Sequence, residues 1–249
     1  PWCIGIESGG ATGWAATDWM EEYVLRYGGE AEYTAWWKGK LAWSSPTVQK
    51  AAKKFAEVAL TPGNVNGGGK AIAATGFGAT ANLFATDKNK CFMMRQGSFI
   101  TDFFPDAVKA EYKANNFTRV GVFKLPAPAG TTDAVLGGGD LAAAFDANPA
   151  TQKVLNFILS DKLGTGAMLA TYPSYLSAHK TFPSAGYKNP ITKNIAGILS
   201  SAKLFGFDGS DLAPAVVNAT QWTELTNWVA GKKTQKQAFA AIDASWSKA

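Results

Sequence analysis

The chain has 249 residues, of which 47% are hydrophobic and 17% charged, the composition of an ordered globular protein with one large or two small cores. No window of the sequence is long and apolar enough to predict a membrane span. The formal net charge is +5, but the lysines are scattered along the chain rather than gathered into a basic stripe, so we expect no nucleic-acid partner.

The first predicted element is a Gly-rich loop that leads into a helix, in the opening sequence PWCIGIESGGATGWAATDWMEEYVLR. Its glycines allow the backbone to approach a ligand closely, and its tryptophans offer flat apolar faces edged by an N–H donor, which suits a sugar. Thr17 or Asp18 is expected to cap the helix and Gly28-Gly29 to end it. The alternative is an ordinary loop whose tryptophans cover the edge of a core.

A second helix and several short strands follow. Ser45-Pro46 has the N-cap and N1 residues of a helix, which Thr61-Pro62-Gly63 ends. Cys91–Ile100 is predicted as a short strand that breaks at its glycine, and Phe117–Leu125 alternates as a strand. Leu136–Phe145 is a second Gly-rich segment, and we expect it to lead into a short apolar strand.

The second half of the chain is predicted to be mainly helical. Asn148-Pro149 and Asn189-Pro190 each begin a helix, and the first of these carries an apolar face of Val154, Leu155, Ile158 and Leu159. Residues 207–214 are polar and turn-like, and two closing helices follow them. Strands mixed with helices make this an α/β protein.

The chain has two cysteines, Cys3 and Cys91. An even number of cysteines outside the cytoplasm is usually paired, so we expect a disulfide if the protein resides there. The alternative is that both are small buried hydrophobic residues.

Few residues suggest catalysis. The single histidine, His179, is remote from any Ser or Cys motif, and one His with two Cys leaves no zinc ligand set. Carboxylates do occur in or near the Gly-rich loops, and they also serve as acceptors for sugar hydroxyls. We therefore expect binding without turnover, and neither a cofactor nor a metal. These carboxylates are Glu7, Asp18, Asp140, Asp208 and Asp211.

Four segments together resemble the family 1 extracellular solute-binding proteins of carbohydrate ABC importers, most closely the α-glucoside or maltose-type branch. They are PWCIGIESGGATGWAATDW, KCFMMRQGSFITDFFP, LGGGDLAAAF and FDGSDLAP, and the resemblance spans essentially the whole chain. It implies a two-lobed α/β fold of the periplasmic binding protein type II kind, which closes on a sugar and then docks on a membrane permease.

The resemblance also implies a division of the chain. Residues 1–127 and 188–249 would form the C-terminal lobe, and residues 128–187 a returning segment of the N-terminal lobe. The family's opening segment, most of the N-terminal lobe, has no counterpart in this sequence and would be a further partner. Relatives are extracellular or periplasmic and carry a lipoprotein or secretory signal, which we expect to be removed or absent here.

By position, the resemblance places a set of aromatic, polar and glycine residues around the sugar. Asp18 has an alternative role as a helix cap, Arg95 as a member of a structural ion pair, and each aromatic residue as part of a core. The set is Trp14, Thr17, Asp18, Arg95, Gln96, Phe99, Gly138, Gly139, Asp140, Asp211 and Trp222.

Two other functions are weighed against sugar capture. One is a glycoside-active enzyme lobe that uses Glu7 or Asp18 together with Asp140. The other is a relative of the same two-lobed shape that binds an anion or a polyamine.

Overall fold

The computed structural model describes residues 1–84, 90–116, 119–165, 167–179 and 181–249. The chain forms two compact units. Unit 1 comprises Pro1–Gly97, Leu125–Gly137 and Ala202–Ala249, and unit 2 comprises Ser98–Lys124 and Gly138–Ser201, so the chain passes between the units four times. The assignment of residues 1–127 and 188–249 to one lobe and 128–187 to the other stays a prediction.

Helices dominate the described residues, and the strands are short. The α-helices are α1 (Trp14–Trp37), α2 (Pro46–Ala59), α3 (Gly69–Ala74), α4 (Asp106–Lys113), α5 (Pro149–Ile158), α6 (Ala167–Thr171), α7 (Pro190–Ser200), α8 (Gly209–Leu212), α9 (Ala215–Val229) and α10 (Gln235–Ser245). Strands β1 (Val135–Gly137) and β2 (Phe205–Phe207) pair in parallel, with Val135 opposite Phe205. The 3₁₀ helices are Gly9–Ala11, Gly78–Asn82, Ser98–Phe103, Ser184–Gly186 and Trp246–Lys248.

The core of unit 1 is built on aromatic rings. Helix α1 packs on α2 and α9, and α9 packs on α10. Trp43 lies edge-on to Phe239 at 4.9 Å between ring centroids, and Trp19 stacks on Phe55 at 6.2 Å. All four rings are buried, and edge and offset ring contacts add to the free energy gained by burying such large side chains. Unit 1 therefore has a continuous hydrophobic core.

Helix α2 begins where the sequence predicts. Ser45 is its N-cap and Pro46 its first residue, and Val48, Ala51, Ala52 and Phe55 are fully buried. Proline fits the first turn because its missing N–H has no intrahelical partner there.

Helix α1 begins earlier than predicted. Its N-cap is Gly13, at φ 118°, so the expectation that Thr17 or Asp18 caps the helix is wrong and both residues lie inside it. The expected end at Gly28-Gly29 is wrong: the backbone leaves the helical region at Gly29, whose φ is 64°, but helical residues resume and continue to Trp37. Glycine tolerates both positive φ values because it has no Cβ.

The three predicted strands are not formed as expected. Cys91–Ile100 makes only an isolated bridge from Met93 to Trp2 and ends in a 3₁₀ helix. Residues 119–125 are not in a strand, and Phe117 and Thr118 lie outside the described residues. In Leu136–Phe145 the strand β1 comes before Asp140 instead of after it. No regular structure follows β1 within the segment. Alternation alone does not make a strand, because a strand needs a neighbouring backbone for its hydrogen bonds.

Unit 2 confirms both predicted Asn caps. The Asn148 side chain accepts a hydrogen bond from the Ala150 amide, and Asn189 accepts from Ile191 and Thr192. The predicted apolar face of α5 remains largely uncovered, since Val154 is 59% exposed and Leu159 60%. In the preceding segment Leu141 and Phe145 are exposed as well.

A disulfide joins Cys3 to Cys91 across 88 residues, with the two Cα atoms 5.4 Å apart, which confirms the expected pairing. The disulfide holds the segment that follows Lys90 against the N-terminal residues of the chain. The Cys3 amide also donates to the Met93 carbonyl, at 2.8 Å. Among the described residues, we find no helix with the length and hydropathy that a membrane span requires.

Candidate ligand-binding site

Gly13 brings the first Gly-rich loop against helix α9. A Cβ on Gly13 would lie 2.2 Å from the Trp222 carbonyl oxygen, so only glycine allows this approach. The Gly13 amide donates to the Ile6 carbonyl at 2.9 Å, which fixes the loop from its other side. The loop that leads to Trp14 is therefore in direct contact with Trp222, which the resemblance also places around the sugar.

Trp14 lies beside this contact, at the first position of α1. Its ring meets Phe77 edge-on at 5.1 Å, and the residue is only partly buried. Trp14 therefore keeps part of its surface exposed beside the contact between Gly13 and α9.

Asp18 and Arg95 bind each other. The Arg95 guanidinium donates to Asp18 Oδ2 at 2.5 Å and to Glu22 Oε1 at 3.1 Å, and both side chains of the Asp18–Arg95 pair are 14% exposed. The structural ion pair considered for Arg95 is thus confirmed. Burial raises the pKa of Asp18 to about 6, although Arg95 opposes that shift, and the two carboxylates raise the pKa of Arg95.

Thr17 is completely buried, and its hydroxyl is already used. It donates to the Trp14 carbonyl at 2.6 Å and accepts from Ser210 Oγ at 3.2 Å. The Thr17 side chain therefore ties α1 to the start of α8, and this placement is better suited to supporting a site than to contacting a ligand.

Gln96 and Trp222 hold buried polar atoms with no hydrogen-bond partner among the described residues, Gln96 Oε1 and Trp222 Nε1. Buried polar atoms in native proteins are nearly always paired with protein, water or ligand. Gln96 Oε1 is an acceptor and Trp222 Nε1 a donor, and a sugar hydroxyl can pair with either kind of atom.

The remaining candidates are distributed over both units. Asp211 is exposed on α8 in unit 1, where the Asn218 amide donates to it at 3.5 Å. Phe99 is 41% exposed on the 3₁₀ helix Ser98–Phe103 in unit 2. Residues 138–140, which are Gly138, Gly139 and Asp140, form an exposed segment of unit 2 directly after β1.

Sequence reasoning missed a set of buried polar residues on α1. Glu21 accepts the amides of Gly209 at 2.9 Å and Ser210 at 3.1 Å, and its pKa is well above the ordinary value because it is buried. Glu22 pairs with Arg26, which is 1% exposed. The signal was present as a Glu–Arg pair at i, i+4 spacing on a helix. The missed residues are Glu21, Glu22, Arg26, Tyr33 and Ser210.

The described residues contain no group of three His, Cys, Asp or Glu side chains placed to hold a metal ion.

No family model matches the chain. It is 34% identical over 247 residues to the alpha-glucosides-binding periplasmic protein AglE of Rhizobium meliloti, covering 99% of this chain and 53% of that protein. It is 31% identical over 250 residues to the osmoprotective compounds-binding protein GgtB of Synechocystis, covering 100% of this chain and 57% of that protein. The chain thus spans just over half the length of these curated relatives.

A solved chitin oligosaccharide binding protein has a similar fold, with a TM-score of 0.75 and 17% sequence identity, over 100% of this chain and 60% of that protein. The chain therefore has the mixed α/β fold of a solute-binding protein.

Proposed function

We propose that this chain is part of a carbohydrate-binding protein that works outside the cytoplasm and delivers its sugar to an ABC importer. The observation that carries the proposal is the agreement between similarity to two named binding proteins along nearly the whole chain and the fold of a third. The ligand we propose is an oligosaccharide of the α-glucoside class, in line with the name of the AglE relative.

Within unit 1, we assign sugar contact to Trp14, Gln96, Asp211 and Trp222. The partner-free Gln96 Oε1 and Trp222 Nε1 support this assignment, since a hydroxyl satisfies either atom. Asp18, Arg95 and Thr17 are assigned to holding these residues in place, because their polar atoms are engaged within the protein.

Within unit 2, Phe99 is assigned to stacking on the sugar ring. The segment of Gly138, Gly139 and Asp140 is assigned to the same ligand, with the Asp140 carboxylate as a hydroxyl acceptor. Charge-assisted hydrogen bonds of this kind are stronger than neutral ones. Closure around the sugar would then shift the population toward the form that the permease recognises.

This function fits better than an enzyme. Asp18, one of the carboxylates considered for catalysis, is paired with Arg95, and Glu7 Oε1 accepts the Gly9 amide at 2.8 Å in an exposed turn. It also fits better than a polyamine binder, since the named relatives bind alpha-glucosides and osmoprotective compounds.

Calorimetric titration of the intact protein with maltose, trehalose and spermidine tests the proposal. We expect saturable binding to at least one of the α-glucosides, no binding to spermidine, and no release of reducing sugar from trehalose during prolonged incubation. Sustained release of glucose would make the protein an enzyme, and tight binding of spermidine alone would make it a polyamine binder.

Two matched variants test the stacking role. Phe99 and Phe103 lie on the same 3₁₀ helix with similar exposure, 41% and 43%. We expect Phe99→Ala to weaken sugar binding by up to about tenfold, the value of one stacked aromatic contact, and Phe103→Ala to leave it unchanged. Equal losses in both variants would remove Phe99 from the site.

A further inference from the structure

Helix α1 is hydrogen-bonded to segments of unit 1 that lead to or from the four passages of the chain between the units. The passages occur after Gly97, Lys124, Gly137 and Ser201. Within unit 1, residues close to the first three passages, and the stretch Phe207–Ser210 that follows the fourth, are bonded to α1 by a small set of buried polar side chains. We call these side chains the α1 anchors: Glu21, Glu22, Arg26 and Tyr33.

Glu22 and Arg26 hold the first three passages. Glu22 accepts from Arg95, two residues before the first passage, and pairs with Arg26. Arg26 Nη2 donates to the Leu125 carbonyl, directly after the second passage, and to the Ala134 carbonyl, just before the third, each at 3.0 Å. One guanidinium thus holds both ends of the segment Leu125–Gly137, which enters unit 1 at the second passage and leaves it at the third.

Glu21 and Tyr33 hold the fourth passage. The Tyr33 hydroxyl donates to the Phe207 carbonyl at 2.7 Å, at the end of β2, and lies 3.1 Å from Glu21 Oε2. Glu21 accepts the Gly209 and Ser210 amides that follow. Strand β2 is also paired with β1, and the Asp208 amide donates to the Gly137 carbonyl at 3.0 Å, which couples the third and fourth passages.

Burying the Glu22–Arg26 ion pair is a costly way to stabilise a core. All four anchors are less than 10% exposed, with Glu21 at 0% and Arg26 at 1%. A buried ion pair costs desolvation energy that apolar side chains of similar size avoid, so its advantage lies in fixing directions and partners. The Leu125 and Ala134 carbonyl groups to which Arg26 donates are in irregular backbone, which apolar contacts alone would not orient.

We propose that the α1 anchors are positioning residues that fix in unit 1 every segment leading to unit 2, and that sugar affinity depends on them although they touch no sugar. The second part rests on the proposed function. The first part does not, because local opening of the passage segments is measured without any ligand.

The experiment is native-state hydrogen exchange of the intact protein and its Glu22→Gln variant, together with sugar titration. Thr132, Val135 and Asp208 report on the passages, since their amides donate to Arg26, Leu204 and Gly137. We expect exchange at these amides to rise about tenfold or more, exchange at Phe55 and Ile242 to stay nearly unchanged, and sugar affinity to fall by about tenfold.

Two further variants make the result specific. Glu57→Gln removes an exposed pair with Lys54 in the same unit and should change neither readout. Tyr33→Phe is the milder change, and it replaces Glu22→Gln in the exchange experiment if that variant does not fold. It should raise exchange at Asp208 and Gly209 but not at Thr132.

An equal rise at Phe55, Ile242 and the passage amides would show general destabilisation and overturn the positioning role. A rise confined to the passages with unchanged sugar affinity would overturn the link to binding. Absence of sugar binding in the unaltered protein would instead overturn the proposed function, and the exchange data would still decide the role of the anchors.

Discussion

Helices α2 and α5 have the same design but different surroundings. Each begins with Pro after a polar N-cap and carries apolar residues along one face. In α2 that face is fully buried, with Phe55 at 0% exposure, whereas α5 has no buried residue and its Phe157 is 51% exposed. Periodicity therefore indicates which face of a helix is apolar but does not reveal whether the described chain covers it.

The disulfide lies in unit 1, the unit in which the apolar face of α2 is buried. Replacing both Cys3 and Cys91 by Ser should lower the free energy of unfolding by about 4–5 kcal/mol, because the cross-link closes a long loop in the unfolded chain. Urea denaturation followed by far-UV circular dichroism measures the change, with the unaltered protein under reducing conditions as the parallel sample. A loss below about 1 kcal/mol would contradict the expected contribution.

The two phenylalanines provide the direct test of the comparison. Phe55→Ala should cost about 3–5 kcal/mol because it leaves a cavity among aromatic rings, whereas Phe157→Ala should change stability by about 0.5 kcal/mol or less. Thermal or urea unfolding of both variants measures the difference. Comparable losses would mean that α5 is covered in the intact protein by residues beyond those described.

Asp18 makes the stability of unit 1 depend on pH. Its pKa is raised from 3.8 to about 6, so between these values the folded state binds more protons than the unfolded state, and stability falls as pH rises. Relative to Asp18→Asn, the unaltered protein should lose about 2 kcal/mol between pH 4 and pH 7. Urea unfolding at pH 4, 5, 6 and 7 measures this, and a difference that is constant with pH would rule out a raised pKa.

Helix caps give the smallest expected effect. Asn148→Ala should cost about 1 kcal/mol in the stability of α5, because its side chain accepts the Ala150 amide at 2.8 Å. Ser45 makes no side-chain cap bond at the start of α2, so Ser45→Ala should cost less. Hydrogen exchange within each helix measures both, and a larger effect at Ser45 would reverse the expected order.

The sequence predicted those features that depend on neighbouring residues. The starts of α2, α5 and α7 follow from a polar residue before Pro, and the break at Gly29 follows from paired glycines. The start of α1 was missed because Gly13 caps that helix through its fit against Trp222, a contact between residues far apart in the chain.

The buried charges were missed for a similar reason. Glu21 becomes a buried acceptor through amides 188 and 189 residues away, and Asp18 finds Arg95 77 residues away. Single-sequence reasoning ranks an acidic residue on a helix as solvent-exposed or as a ligand contact. Whether such a residue is instead paired inside the protein depends on the tertiary fold. The predicted sugar contacts therefore divide into residues with engaged polar atoms, such as Asp18, and residues with unsatisfied ones, such as Gln96.

The aromatic core has a spectroscopic consequence. None of the nine tryptophans is fully exposed, and Trp19, Trp36 and Trp43 are at most 2% exposed. Indole fluorescence should therefore be emitted at short wavelength and be weakly quenched by acrylamide in the folded protein. Seven of the nine tryptophans are not among the proposed sugar contacts, so added sugar should alter mainly the fraction of the signal from Trp14 and Trp222, while denaturation should shift the entire spectrum to the red.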